Sequence, residues 1–218
     1  MIAVCRMIGF SFETEQDVGV FFKHLQSMAQ NGKSAPHNHG WGVYAIKDNA
    51  VIYYRSPRPA YEEEMTSFPA KIGIFHARKA SEHLPITFLQ LHPFIDNRGK
   101  AFCHNGTIYD IEYSSIDSDT YSYFLKIKDF SNYEDLTNKI GEIAQNYRHT
   151  GMNFLMINND ELVVYCGYSG NKDYYTLWYR DTNGFVVSSE PMDQRFKPID
   201  NKTLLVVKDG KIEQLRSI

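Results

Sequence analysis

Residues 1–10 read MIAVCRMIGF, and this stretch decides the fold: the segment Ala3 to Phe10 is short, apolar and suited to a buried strand. Cys5-Arg6 within it has two readings. One is a buried thiol. The other is a nucleophile, provided that Cys5 is the first residue of the mature chain, because a free α-amine beside a thiol supplies base and nucleophile from a single residue. That reading makes residues 1–4 a propeptide.

Downstream, Val18, Phe21, Phe22, Leu25 and Met28 recur at helical spacing between Glu15 and Gln30, with Thr14 as the expected cap and Asn31-Gly32 as the stop. Gly42 to Ile46 and Ala50 to Arg55 predict a hairpin turning at Lys47-Asp48-Asn49, and Lys71 to Ala77 predicts a further strand. Pro57 and Pro59 keep the segment between them out of a sheet interior. Helices are expected over Asp119 to Lys128, capped by Ser118, and over Tyr133 to Tyr147. After Gly151 the pattern becomes short strands: Asn153 to Ile157, Leu162 to Gly167, Tyr174 to Tyr179, Gly184 to Ser188, Leu204 to Lys208 and Ile212 to Leu215. Two stacked sheets with helices outside satisfy this order, since each sheet needs its second face covered.

At 218 residues the chain suits one domain, 1–218. The net charge of -3, with no Lys/Arg run interleaved with aromatics, argues against nucleic acid as a partner. Cys5, Cys103 and Cys166 are widely spaced and odd in number, which fits neither a disulfide framework nor a zinc site. With no secretory signal and no membrane-length apolar run, the expected location is the cytoplasm, away from the membrane.

Four short stretches could carry chemistry: Cys5-Arg6, His76-Ala77-Arg78, His104-Asn105-Gly106-Thr107 and Ser118-Asp119-Thr120. Singly, each has an ordinary structural reading. Arg78 could be a surface charge at a strand end, Asn105-Gly106 a type I′ turn, and Asp119 a carboxylate at a helix N-terminus. His37 and His39 have metal-like spacing but no nearby carboxylate or thiolate, so no metal is expected.

In this order, together with Gly40-Trp41-Gly42, His92-Pro93-Phe94 and Ser189-Glu190-Pro191, the stretches resemble the class II glutamine amidotransferase domain of the small stand-alone type, an N-terminal-nucleophile hydrolase, over most of the chain. The resemblance implies an α+β fold, a four-layer α/β/β/α sandwich of two antiparallel sheets with Cys5 at the end of the first strand. It implies hydrolysis of the glutamine side-chain amide to glutamate and ammonia through a Cys5 thioester, without a cofactor. Cys5 would supply the thiol and, as base, an α-amine whose ordinary pKa is about 7.7–8.0. Asn105 and the Gly106 N–H would hold the oxyanion, with Arg78 and Asp119 on the α-carboxylate and α-ammonium of the substrate. His76 and His92 receive no role.

Two features depart from the family pattern. Lys79 stands where an aromatic residue usually follows the arginine, and Met1 to Val4 precede Cys5, so that a free amine requires cleavage of the Val4-Cys5 bond. The expected partner is a small molecule, glutamine or another γ-glutamyl amide; the ammonia goes either to a separate synthase subunit or to no acceptor but water. Two alternatives stand beside glutamine hydrolysis: a hydrolase of another γ-glutamyl amide, and a catalytically silent regulatory or binding module with Cys5 left unprocessed.

Overall fold

The computed structural model describes residues 5–80, 86–112 and 118–218. Met1 to Val4, and with them the expected propeptide and the start of the expected first strand, lie outside the described residues. In chain order the elements are β1 (Arg6–Asp17), α1 (Gly19–Asn31), β2 (Trp41–Lys47), β3 (Ala50–Ser56), β4 (Pro69–Ala77), β5 (Phe94–Ile95), β6 (Ala101–Asn105), α2 (Asp119–Ile127), α3 (Tyr133–Asn146), β7 (Asn153–Asn158), β8 (Glu161–Cys166), α4 (Lys172–Tyr175), β9 (Trp178–Arg180), β10 (Phe185–Ser188), β11 (Lys197–Pro198), β12 (Thr203–Lys208) and β13 (Lys211–Ser217).

Among the described residues they form a seven-stranded sheet ordered β11-β9-β10-β1-β4-β2-β3 and a six-stranded sheet ordered β13-β12-β8-β7-β6-β5. The pairings are antiparallel. Three apolar layers hold the stack together. Alternate residues of β1 point to opposite faces, so Met7 enters the layer between the sheets, with Ile72, Ile74, Cys103, Leu155, Val164 and Leu205. Ile8 and Phe10 enter the layer under α1, where Phe21, Phe22 and Leu25 close over them. On the far side Tyr123, Phe124, Leu136 and Ile140 of α2 and α3 cover Phe102, Phe154 and Val163. Each fully buried side chain of this size contributes about 1.5–3 kcal/mol, so the three layers rather than helix propensity hold the outer helices in place. The order is the α/β/β/α sandwich of two antiparallel sheets expected from the resemblance, and its double burial explains why β1 opens as an apolar run rather than an alternation.

Two expectations are corrected. Thr14 does not cap α1: β1 continues to Asp17 past a register shift between Ser11 and Gln16, and the helix begins where Asp17 Oδ1 and Ser67 Oγ accept from Gly19 N, each at 2.9 Å. Tyr174 to Tyr179 is not one strand. Asn171 Oδ1 accepts from Asp173 N at 3.0 Å and starts the single turn of α4, leaving only Trp178–Arg180 in the sheet. The hairpin turn at Asp48-Asn49, the stop at Gly32 and the Ser118 cap, which accepts from Tyr121 N at 3.3 Å, stand as expected.

Candidate active site

Across the layer between the sheets, the sulfurs of Met7 on β1 and Cys103 on β6 lie 3.6 Å apart. A step of two residues along a strand returns to the same face, so one step back along β1 and one forward along β6 brings Cys5 over Asn105 at the edge of the sandwich. There Cys5 N donates to Asn105 Oδ1 at 2.8 Å. The amide nitrogen of the same side chain, Asn105 Nδ2, is buried with no partner among the described residues. A buried donor left unmade costs about 1–3 kcal/mol, which makes it the atom of this site most in need of a ligand.

The strand register delivers the other groups. Arg6 pairs with Ala77, so Arg78 emerges from β4 beside Cys5. Cys5, Arg78, Lys79, Gln90, His92, His104, Gly106 and Asp119 line one small cleft. Of the five residues singled out from the sequence, Cys5, Arg78, Gly106 and Asp119 line this cleft, and Asn105 adjoins it through its hydrogen bond with Cys5 N. Arg78 is no surface charge; it is only 4% exposed and donates from Nη2 to Gln90 Oε1 at 2.8 Å. The Asp119 carboxylate sits at the start of α2 and accepts from Ile108 N at 2.9 Å and from Thr120 N at 2.8 Å.

Asn105-Gly106 is not a type I′ turn, because only Gly106 has positive φ, at 149°. A Cβ there would lie 1.9 Å from Gly151 O, so glycine is required by the neighbouring main chain as well as by the cleft. Lys79 O lies 3.9 Å from Cys5 Sγ, and the Lys79 side chain turns away to donate to Ser34 O.

Burial pushes the Cys5 thiol above its ordinary pKa. A main-chain hydrogen bond at Lys79 and the charges of Arg78 and Arg6 pull the other way, while Asp119 adds to the rise. Burial likewise lowers Arg78, partly offset by Cys5 and Asp119. The thiol therefore stays protonated near neutrality and needs a base to be activated.

The histidines brace the cleft. His104 Nε2 donates to Gly151 O at 3.1 Å, which leaves Nδ1 to accept from the Thr120 hydroxyl at 2.9 Å, tying β6 to the start of α2. His92 Nδ1 and His76 Nε2 are 2.8 Å apart, and burial lowers His76 to about 3 and drives His92 down as well. His37 is buried with Nδ1 3.4 Å from Ala29 O, while His39 Nδ1 accepts from Ala80 N at 2.8 Å. Among the described residues no group of three or more His, Cys, Asp or Glu side chains could hold a metal ion. No helix among them is long and apolar enough to cross a membrane.

Two contacts escaped the sequence reading. Gln90, on a single 3-10 turn (Phe88–Gln90), meets Arg78, and Glu190 meets Arg6. The second was signalled by two motifs already quoted, Cys5-Arg6 and Ser189-Glu190, although nothing in their spacing says that they touch.

The model of the family described as glutamine amidotransferases class-II matches residues 4–181. No curated protein matches the chain. Among solved structures it is similar to a predicted glutamine amidotransferase from Pseudomonas aeruginosa PA01, at 18% identity and TM-score 0.66, covering 96% of this chain and all of that one. It is similar to a glutamine aminotransferase class-II domain protein from Silicibacter pomeroyi, at 15% identity and TM-score 0.64, with 98% of this chain and 99% of that one covered. A third likeness is to the glutamine phosphoribosylpyrophosphate amidotransferase of B. subtilis, at 17% identity and TM-score 0.70; 98% of this chain is covered, but only 49% of that protein. At these identities the likenesses show the fold.

Proposed function

The chain belongs to the class-II glutamine amidotransferases, and from that membership we propose that it hydrolyses the side-chain amide of glutamine to glutamate and ammonia through a thioester on Cys5. The observation that carries this reading is the single side chain of Asn105, whose oxygen holds the Cys5 nitrogen at 2.8 Å while its own nitrogen is buried without a partner. Cleavage of the Val4-Cys5 bond turns that held nitrogen into an amine. The amine takes the thiol proton, the sulfur attacks the amide carbon, and the oxyanion is received by Asn105 Nδ2 and the Gly106 N–H. Collapse expels ammonia, with its added proton returned by the α-ammonium, and water then releases glutamate by the same groups.

At the other end of the substrate, Arg78 takes the α-carboxylate and Asp119 the α-ammonium. This charge pair selects a free γ-glutamyl end over glutamine within a peptide. The ammonia passes to a separate synthase subunit or to water. Three free cysteines suit a reducing, cytoplasmic setting.

The test is intact mass of the full chain, fresh and after incubation at neutral pH, read alongside glutamate release from glutamine. Loss of the Met1 to Val4 mass in step with glutamate release supports the reading. A cleaved chain that ignores glutamine but opens another γ-glutamyl amide moves the assignment to that substrate. A chain that stays uncleaved and inert identifies a silent module.

A further inference from the structure

Arg6 follows the nucleophile but does not line the cleft. It is fully buried, a position in which a charged side chain survives only with partners. Its Nη1 donates to Cys5 O at 3.2 Å and Nη2 donates to Lys33 O, while Nε lies 2.9 Å from Glu190 Oε1 as an ion pair that is not aligned as a hydrogen bond. The guanidinium lies 4.8 Å from the centre of the Tyr174 ring. The partners are themselves cross-tied: Glu190 Oε1 accepts from Lys33 N at 2.8 Å, and the Tyr174 hydroxyl donates to Lys33 O at 3.2 Å. Ser189 then grips the next residue of β1, with Met7 N donating to its Oγ at 2.9 Å and its own N donating to Met7 O at 3.0 Å.

A buried ion pair is weak evidence for stability, because an apolar pair of similar volume often serves as well. What an apolar pair cannot do is hold a carbonyl, and the carbonyl held here is that of Cys5. Only a planar fork can donate to two carbonyls, those of Cys5 and Lys33, while its third nitrogen lies against the Glu190 carboxylate; an ammonium is a point.

We propose that Arg6, anchored by Glu190, is the positioning residue of the nucleophile: its fork holds the Cys5 carbonyl so that the thiol faces the cleft and the nitrogen faces Asn105. The proposal rests on Cys5 being the nucleophile. Arg6 also places a positive charge beside the thiol, which favours the thiolate.

The test is the pH profile of iodoacetamide alkylation at Cys5 in the full chain, followed by peptide mapping, with buried Cys103 and Cys166 as internal controls. In Arg6→Gln the midpoint moves to higher pH and the rate at neutral pH falls at least threefold. Arg6→Lys returns the midpoint toward the native one while the rate stays below native, and Glu190→Gln slows alkylation by less than Arg6→Gln does. A merely structural role would loosen Cys5, giving faster alkylation with an unmoved midpoint.

A folded Arg6→Gln protein with native rate and midpoint, or with faster alkylation, overturns the proposal. If Arg6→Gln does not fold, Arg6→Lys and Glu190→Gln decide, and native alkylation in both, or failure of both to fold, overturns it. The assay needs no glutamine, so Arg6-dependent alkylation in a protein that releases no glutamate would sink the glutaminase reading and leave the positioning role standing.

Discussion

The two ends of the sandwich differ in how many charges they bury. At the end where β1 begins and β4 and β6 finish, Arg6, Arg78 and Asp119 are all less than a tenth exposed, and each is held by named hydrogen bonds. At the other end, where β4 begins and β12 finishes, Lys71 pairs with Asp209 at 2.7 Å and Lys208 with Asp160 at 2.8 Å, all with side chains more than two-fifths exposed. Exposed pairs contribute about 0–1 kcal/mol, whereas a buried charge stripped of its partner costs about 3–5 kcal/mol. Lys100, buried at the start of β6 and donating to Lys128 O, is the exception at this second end; the cluster of Arg6, Arg78 and Asp119 stands at the end where the proposed substrate would be met.

The contrast breaks most sharply at Cys5 if it is wrong. Cys5→Ala should abolish glutamate release while leaving thermal stability nearly unchanged, because the half-buried thiol sits outside the three apolar layers. An unchanged rate would remove the chemistry from this end altogether.

Asn105→Ala comes next, with an expected loss of about 10²–10³-fold in kcat and a smaller change in KM, since the oxyanion exists only in the transition state. Arg78→Lys should act in the other direction, raising KM at least tenfold with a lesser effect on kcat, because one ammonium replaces a fork on the ground-state carboxylate. Steady-state kinetics on glutamine check both, and equal effects on the two parameters in both variants would erase the division of labour between Asn105 and Arg78.

Stability should also record the buried histidines. Unfolded, His76 and His92 take a proton near pH 6.5; folded, burial holds His76 near 3 and His92 well below its ordinary value. Below 6.5 the unfolded chain thus binds more protons than the folded one, so stability is lost as pH falls from 6.5 toward 3. The loss is up to about 1.4 kcal/mol per pH unit for each histidine. Denaturant midpoints measured across this range check the sign, and a flat profile would contradict it. The smallest effect belongs to the exposed end, where Lys71→Ala should change the unfolding free energy by under about 1 kcal/mol, less still at high salt.

What the sequence disclosed follows the same division. Periodicity placed α1 through Phe21, Phe22 and Leu25, because a helix over one face of a sheet keeps its 3.6-residue stripe. It misplaced the start of α1, because the exposed polar run Glu13 to Gln16 looks like a helix entrance, whereas Asp17 supplies the contact that opens it. It made Tyr174 to Tyr179 a strand, because adjacent aromatics favour pleated surfaces, while the turn at Asn171 sends Tyr174 against Arg6. The five candidate residues stood out only as a joint pattern. No local rule brings β1, β4, β6 and the start of α2 to one edge; the registers do. The contact of Arg6 with Glu190 was invisible for the same reason, being made by tertiary packing between segments far apart in the chain.

The most direct measurement is mass spectrometry of the full chain, mixed with glutamine at neutral pH, quenched in acid and mapped at the Cys5 peptide. The account predicts that the peptide begins at Cys5 with a free amine and carries a γ-glutamyl group on its sulfur, lost again as glutamate accumulates. A Val4-Cys5 bond still intact in protein that releases glutamate, or a cleaved Cys5 that never carries the γ-glutamyl group while glutamate forms, would contradict it.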